Sequence, residues 1–279
     1  MKGGRIFTKA IILARGLGSR MREQDAGATL STEQADAAAS GHKAMMPLAF
    51  GRPFLDWVLS GLADAGVRDV CLVIAPDDRA IRKYYSALTL TRLRISFAVQ
   101  PHARGTADAV LAAEPFARGD LVLTLNADNF YPVDAYRALV SLGAPALAAF
   151  ERESLINYGN IGEERIAKYA LVQVDQHGTL RRIVEKPDPA TMAAWVDTKF
   201  VSMNLWMLPP EIFTACRAIE PSVRGELELP AAVQYAIDRL GVQFRAVPIR
   251  GAAAGVLDLT GRTDIQSVTE RLATRRPVL

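Results

Sequence analysis

The order of segments in this sequence predicts an α/β fold: a single three-layer α/β/α domain around a mostly parallel central sheet. Three observations lead there. Short β-branched runs alternate with helical patterns through the first half, which is the pattern of βαβ units. Strands such as Val70–Ile74 and Leu121–Leu125 are apolar on successive residues, as expected where helices cover both faces of a sheet. No linker or internal repeat divides the 279 residues, a length at which one large core can be buried.

Taken in order, Ile11-Ile12-Leu13 carries a strand over Ala10–Ala14, and helix Pro53–Ala65 leads to strand Asp69–Ala75. Helix Asp77–Ala87, strand Arg94–Val99, helix Thr106–Phe116 and strand Leu121–Asn126 continue the alternation. The second half mixes strands (Tyr169–Val174, Leu180–Glu185, Phe200–Met207, Val242–Pro248) with helices (Pro210–Ala218, Leu227–Leu240, Asp264–Ala273) and reads as an extension of the same sheet. Pro187 marks the end of the Leu180–Glu185 strand, since proline cannot donate to a ladder. The alanine-rich polar stretch Glu23–Gly41 is expected to be a mobile loop with one helical turn at most.

Half of the residues are hydrophobic, and 33 lysines and arginines face 30 aspartates and glutamates, with both signs scattered. That pattern argues against a nucleic-acid arm or a polybasic membrane anchor. The opening Met1–Thr8 lacks the apolar core of a signal peptide and no run is long enough to span a bilayer, so a cytoplasmic protein is expected. Cys71 falls in a strand and Cys216 in a helix, far apart, and both read as reduced core thiols. His42, His102 and His177 are isolated, so a zinc site is not expected.

The first strand runs into Arg15-Gly16-Leu17-Gly18-Ser19-Arg20, a glycine-rich turn with a basic end. Glycines let backbone N–H groups approach phosphate oxygens, and an arginine adds a charge-assisted clamp. Alone, this pattern also fits an ordinary tight turn or half of a dinucleotide fingerprint; the latter lacks its third glycine and a suitable acidic residue ending a second strand. Further on come Lys43-Ala44-Met45-Met46-Pro47-Leu48 and Gly51-Arg52-Pro53-Phe54-Leu55. Together these segments resemble the nucleotidyltransferases that make NDP-sugars, the sugar-1-phosphate nucleotidylyltransferases, whose motifs read roughly L-A-x-G-x-G-T/S-R-M/L, K-x-x-x-P-V and G-x-P-[ML]-[IL].

The resemblance implies a Rossmann-like domain of the nucleotide-diphospho-sugar transferase type, with a nucleotide-binding half over 9–150 and a sugar-phosphate half over 151–265. Leu13, Ala14, Gly16, Gly18 and Ser19 would line the nucleotide, and Arg20 and Lys43 would hold the triphosphate and the charge growing on pyrophosphate. Arg15 stands where the family has a small residue and either touches phosphate or points outward. The spacer from Arg20 to Lys43 is about a dozen residues longer than usual, so Glu23–Gly41 is expected to act as a lid.

Gln100 through Ala109 matches the family's Q/E-x-x-x-x-G-T-A-x-A segment. Gln100 would read a base edge, Gly105 would leave room for the ring, and Thr106 would line the nucleotide or simply cap its helix. Asn126-Ala127-Asp128-Asn129 resembles the hydrophobic-strand-G/A-D signature, and a carboxylate at the carboxyl end of a parallel strand faces the ligand crevice. By resemblance Asp128, with Asp258 of Val256–Asp264, would hold Mg²⁺.

Val184-Glu185-Lys186-Pro187 matches E-K-P, which implies Glu185 on sugar hydroxyls and Lys186 on the attacking sugar phosphate. Asn204 replaces a glycine of the sugar pocket, Ala170 replaces another, and Glu226 of Gly225–Leu229 is either a sugar ligand or a helix-start acid. The implied activity is in-line attack of a sugar 1-phosphate on the α-phosphorus of a nucleoside triphosphate, catalysed by Arg20, Lys43, Asp128, Lys186 and Mg²⁺ in a homo-oligomer without nucleic-acid or membrane partners. Two rival readings stay open: a cytidylyltransferase acting on a non-sugar phosphate, and a non-catalytic nucleotide-sugar-binding regulatory subunit.

Overall fold

The apolar runs pair into a nine-stranded sheet, supplemented by a separate two-stranded ribbon. In this computed structural model, residues 9–16, 18–23, 27–195 and 198–279 are described; Met1–Thr8 and Leu17 of the glycine-rich turn lie outside the described residues. The strands are β1 (Lys9–Leu13), β2 (Asp69–Ile74), β3 (Arg94–Val99), β4 (Val122–Asn126), β5 (Asn129–Phe130), β6 (Ala146–Glu151), β7 (Ala170–Val174), β8 (Leu180–Val184), β9 (Phe200–Leu208), β10 (Arg245–Ile249) and β11 (Leu257–Asp258). The spine runs β10-β6-β9-β4-β1-β2-β3. Every spine pairing is parallel except those of β9, which runs antiparallel to both β4 and β6. The hairpin β7–β8 hangs from β9, and β5 pairs with β11 in the ribbon.

Successive residues of the central strands enter different hydrophobic clusters. Ala10, Ile12, Val70 and Leu72 pack on one side, and Ile11, Cys71 and Val73 on the other, so the sheet is the middle of three layers. Both cysteines are buried and free, and burial pushes the Cys71 thiol up to about 11. Among the described residues, no helix is long and apolar enough to cross a membrane.

Three expectations need correcting. The predicted helix Thr106–Phe116 breaks at Ala113 into Thr106–Ala112 and Glu114–Ala117, because Pro115 cannot continue the first helix but suits the opening of the second. Residues 127–168, left without elements by the sequence pattern, contain β5, β6 and helices Val133–Leu142, Arg152–Tyr158 and Glu163–Ile166. The stretch Glu23–Gly41 holds more than one helical turn: Thr32–Ser40 is a nine-residue helix opened by a capping box between Ser31 and Gln34 and closed by Gly41 in the left-handed region. Gln34 Nε2 also donates to the Pro47 carbonyl at 3.0 Å, which ties this helix to the segment after Lys43.

Helix Phe54–Asp64 is anchored by a fully buried carboxylate. Asp56 accepts from Arg52 Nε at 2.5 Å, Tyr84 Oη at 3.0 Å and Tyr85 Oη at 2.9 Å, and burial nevertheless raises its pKa. Removing one partner of such a cluster leaves the others desolvated and unpaired. Asp56→Ala is therefore expected to cost about 3–5 kcal/mol in urea unfolding; a loss below about 1 kcal/mol, the range of an exposed pair, would contradict this picture of the anchor.

Candidate active site

Parallel pairing sets the floor of the site. Leu13 at the end of β1 lies beside Asn126 at the end of β4, and the Ala127 N–H donates to the Leu13 carbonyl at 3.2 Å. The glycine-rich turn and the Asn126–Asn129 segment therefore leave the sheet side by side. Above them opens a cavity of about 450 Å³ whose walls include Leu13, Ala14, Gly16, Gly18, Ser19, Arg20, Lys43, Gln100, Gly105, Thr106, Asp128 and Glu226. Thus every described residue expected at the nucleotide lines one cavity, although the residues come from three separate stretches of chain.

The two glycines of the turn differ in purpose. A Cβ on Gly16 would meet nothing within 4 Å; Gly18 has φ +61° and a Cβ there would lie 2.0 Å from the Gly41 carbonyl oxygen. Gly18 is thus required by the neighbouring helix cap as well as by the turn. Arg15 neither points outward nor extends freely: its Nε donates to the Gln100 carbonyl at 2.8 Å and Nη2 to that of Pro101 at 3.3 Å, while Nη1 is buried without a partner. Arg15 therefore ties the glycine-rich turn to the end of β3.

Gln100 is buried, and its Nε2 donates to Asp108 Oδ2 at 2.8 Å and to the Gly105 carbonyl at 3.1 Å. Both partners are acceptors, so the amide nitrogen must face them and Oε1 is left as the group for a ligand. Gly105 serves a different purpose from the one its position suggested. A Cβ on it would lie 2.4 Å from the Leu227 carbonyl oxygen, so the missing side chain makes room for the chain and not for a base ring. Leu227 N donates to the Arg104 carbonyl at 2.6 Å and the Ala107 N–H to Leu227 O at 2.9 Å, pinning this loop to the 225–229 segment. Thr106 does not cap its own helix; its Oγ1 accepts from the Leu229 N–H at 2.8 Å and so caps Leu229–Leu240.

The sugar-side residues divide. Glu185 and Asn204 line an adjoining cavity of about 40 Å³ with Ser202, Asn129 and Asn126, the last of which also walls the larger cavity. Glu226 lines the larger cavity, upstream of the helix that begins at Leu229, so it is not a helix-start acid. Lys186 lies at the end of β8, exposed, with φ +44°, and lines neither cavity. Burial, and then the charge of Glu228, raise the Glu185 carboxyl to about 7, against the opposing pull of Arg224. Arg224 was missed in the sequence although it directly precedes Gly225-Glu226; it donates to Glu228 and lies 3.6 Å from Glu226.

Asp128 Oδ2 receives the Lys43 ammonium at 3.1 Å at the edge of the larger cavity. Asp258 is its neighbour through the ribbon: it pairs with Asn129, and the Leu259 N–H donates to the Asp128 carbonyl at 2.9 Å. The phenols of Tyr131 and Tyr169 are raised, first by burial and then by charges that include both aspartates. Asp258 is nevertheless heavily engaged and lines neither cavity. Its Oδ2 accepts from Arg165 at 2.5 Å and Tyr169 at 2.7 Å, and the Thr260 hydroxyl is 3.0 Å from each of its oxygens. Of the two, Asp128 at the cavity edge suits a hard cation that takes its remaining oxygens from phosphate and water, while the Asp258 oxygens already accept from Arg165, Tyr169 and Thr260. Among the described residues, no group of three or more His, Cys, Asp or Glu side chains could hold a metal by itself.

A glycine-rich turn, basic side chains and a carboxylate at the carboxyl end of a parallel strand mark the ligand crevice of an α/β protein. The nucleotidyl transferase family model matches residues 9–248, and the chain belongs to that family. It is 25% identical over 240 residues to the low-salt glycan biosynthesis nucleotidyltransferase Agl11 of Haloferax volcanii, covering 82% of this chain and 59% of that protein. It is 28% identical to a glucose-1-phosphate thymidylyltransferase of Streptomyces antibioticus (87% and 61% covered). With the UTP–glucose-1-phosphate uridylyltransferase AglF of Haloferax volcanii it shares 24% identity (87% and 88% covered). The chain thus spans less than two thirds of the length of the first two of these relatives. Among solved structures, a UTP-bound UGPase from Acinetobacter baumannii superposes with a TM-score of 0.74 at 17% identity, covering 97% of this chain and 95% of that one. A UDP-glucose pyrophosphorylase complexed with UDP-glucose gives 0.71 at 15% identity, covering 97% and 100%. At these identities the structural likeness bears on the fold.

Because its folded pKa is raised to about 7 from an ordinary 4.5, Glu185 changes charge within the neutral range. The ionised carboxylate is the stronger acceptor, so binding of a hydroxyl-bearing ligand in the small cavity is expected to tighten from pH 6 to pH 8 by more in the wild type than in Glu185→Gln. Parallel titration curves for the two proteins in calorimetry would show that Glu185 does not contact the ligand.

Proposed function

We propose that this protein is a sugar-1-phosphate nucleotidylyltransferase, converting a nucleoside triphosphate and a sugar 1-phosphate to a nucleotide sugar and pyrophosphate. The observation that carries this reading is the junction of two cavities at Asn126: the larger has the basic and glycine-rich walls that a triphosphate needs, and the smaller has the carboxylate and amides that suit sugar hydroxyls. An oxygen of the sugar phosphate forms a bond to the α-phosphorus while the bond from that phosphorus to the β-bridging oxygen breaks, and pyrophosphate carries the charge away. No general base is needed, because a phosphate monoester is largely ionised near neutral pH. Arg20 and Lys43 neutralise the triphosphate, Lys186, which lines neither cavity, would reach in from beside Glu185 to meet the incoming phosphate, and alignment supplies much of the rate. Asp128 and Asp258 would hold Mg²⁺, which when bound adds charge neutralisation on the reacting phosphates.

The Gln100 amide favours particular bases. With Nε2 committed to Asp108 and Gly105, Oε1 accepts an N–H, which uracil and thymine carry at ring N3, where cytosine has an acceptor and offers an N–H only from its exocyclic amine. Together with the names of the relatives, this supports UTP or dTTP with glucose 1-phosphate. Pyrophosphate release should require one of these nucleotides and the sugar phosphate together, and release from the nucleotide alone would contradict the reading. Asp128→Asn should lower kcat on the order of 10²–10³-fold, the scale of losing one charge-stabilising group. Asp108→Ala, which frees the amide to flip, should erode discrimination against CTP at least tenfold in kcat/KM; unchanged discrimination would remove Gln100 from base selection.

A further inference from the structure

The middle of β9 departs from regular pairing at the small cavity. On β6, Leu147 pairs with Trp206 and Ala149 with Ser202, so two residue steps on β6 face four on β9 and the Met203-Asn204-Leu205 segment bulges. Bulges re-aim side chains near functional sites. The bulge is secured by the buried Tyr131 hydroxyl, which donates to the Met203 carbonyl at 2.5 Å. Asn204 adopts φ +58°, a left-handed conformation that asparagine tolerates better than most residues.

The orientation of the Asn204 side chain is set from behind. Trp206, fully buried, donates its indole N–H to Asn204 Oδ1 at 3.3 Å, so the amide oxygen must face the indole. Nδ2 then has no acceptor among the described residues and is free to donate to a ligand in the cavity that Asn204 lines with Glu185. That cavity, about 40 Å³, holds roughly three water-sized groups at about 10–15 Å³ each. Ring hydroxyls or a hydroxymethyl group fit this space, and the Asn204 side chain takes up room there that an acetamido group, with four non-hydrogen atoms in one plane, would need.

Resting on the proposed function, we propose that Asn204 is a specificity-determining residue: it donates a hydrogen bond to one sugar oxygen and denies space to an N-acyl substituent, so the acceptor is an unsubstituted aldose 1-phosphate. The test compares wild type with Asn204→Gly, a substitution that suits the left-handed backbone and preserves the bulge. Steady-state kinetics are measured with UTP or dTTP against glucose 1-phosphate, N-acetylglucosamine 1-phosphate and a series of monodeoxyglucose 1-phosphates. The wild type should prefer glucose 1-phosphate by at least 100-fold in kcat/KM, and Asn204→Gly should narrow that ratio at least tenfold, chiefly through KM. One deoxy analogue should lose about tenfold with the wild type and nothing further with Asn204→Gly, a pattern that general loosening of the fold would not produce. An unchanged ratio, or deoxy analogues that affect both proteins alike, overturns this inference while leaving the transferase reading in place. A wild type inactive on every sugar 1-phosphate overturns both.

Discussion

The parallel register of β1 with β4 is the constraint on which the rest of the site depends. It sets Leu13 against Asn126, so that the glycine-rich turn and Asp128 emerge from the same edge of the sheet. Parallel strands send their carboxyl ends to one side, and the loops that follow them share one crevice. A slip of one residue would turn each strand's side chains to the opposite face and carry the apolar sets of both clusters out of register. The packing that buries Ile11 and Ile12 on opposite faces therefore also fixes where the glycine-rich turn and Asp128 stand.

Onto that edge the chain adds a second cavity by reversing one strand. Because β9 runs antiparallel between β4 and β6, its central bulge comes up beside the end of β4, and Asn204 faces Glu185 from the β7–β8 hairpin. The two halves are then fastened together: Leu227 is held by backbone bonds to Arg104 and Ala107, and Thr106 caps the helix that starts at Leu229. Base-side and sugar-side segments cannot shift independently while those bonds persist. Rigid placement is what the proposed reaction, which uses no general base, requires.

Much of this was legible in the sequence, and the parts that were not have physical reasons. β1, β2 and β4 are written in consecutive branched or leucine residues, and the order of motifs singled out residues that share the larger cavity. β6 was missed because Ala146-Leu147-Ala148-Ala149 carries almost no β-branched signal, its strand character coming from burial between β9 and β10. The two-residue strands β5 and β11 are too short to show a period, yet they bring Asp258 to Asp128. The Ser31/Gln34 capping box was visible as S-x-x-Q but was lost among polar residues that read as a loop. Arg165 gave no local signal, because it acquires meaning from Asp258, distant in sequence, whereas Arg224 pairs with the nearby Glu226 and Glu228 and was overlooked. The purpose of Gly105 was likewise hidden, because the atom that needs its empty space belongs to Leu227.

The central claim is that the two cavities act as one site in which the sugar phosphate attacks the nucleotide directly. The stereochemistry at the α-phosphorus tests this most plainly. With a nucleoside α-thiotriphosphate of known configuration and glucose 1-phosphate, a single displacement predicts inversion in the nucleotide sugar formed. Retention would mean that the nucleotidyl group passes first to a side chain of the protein, and the account of direct transfer across the Asn126 junction would be wrong.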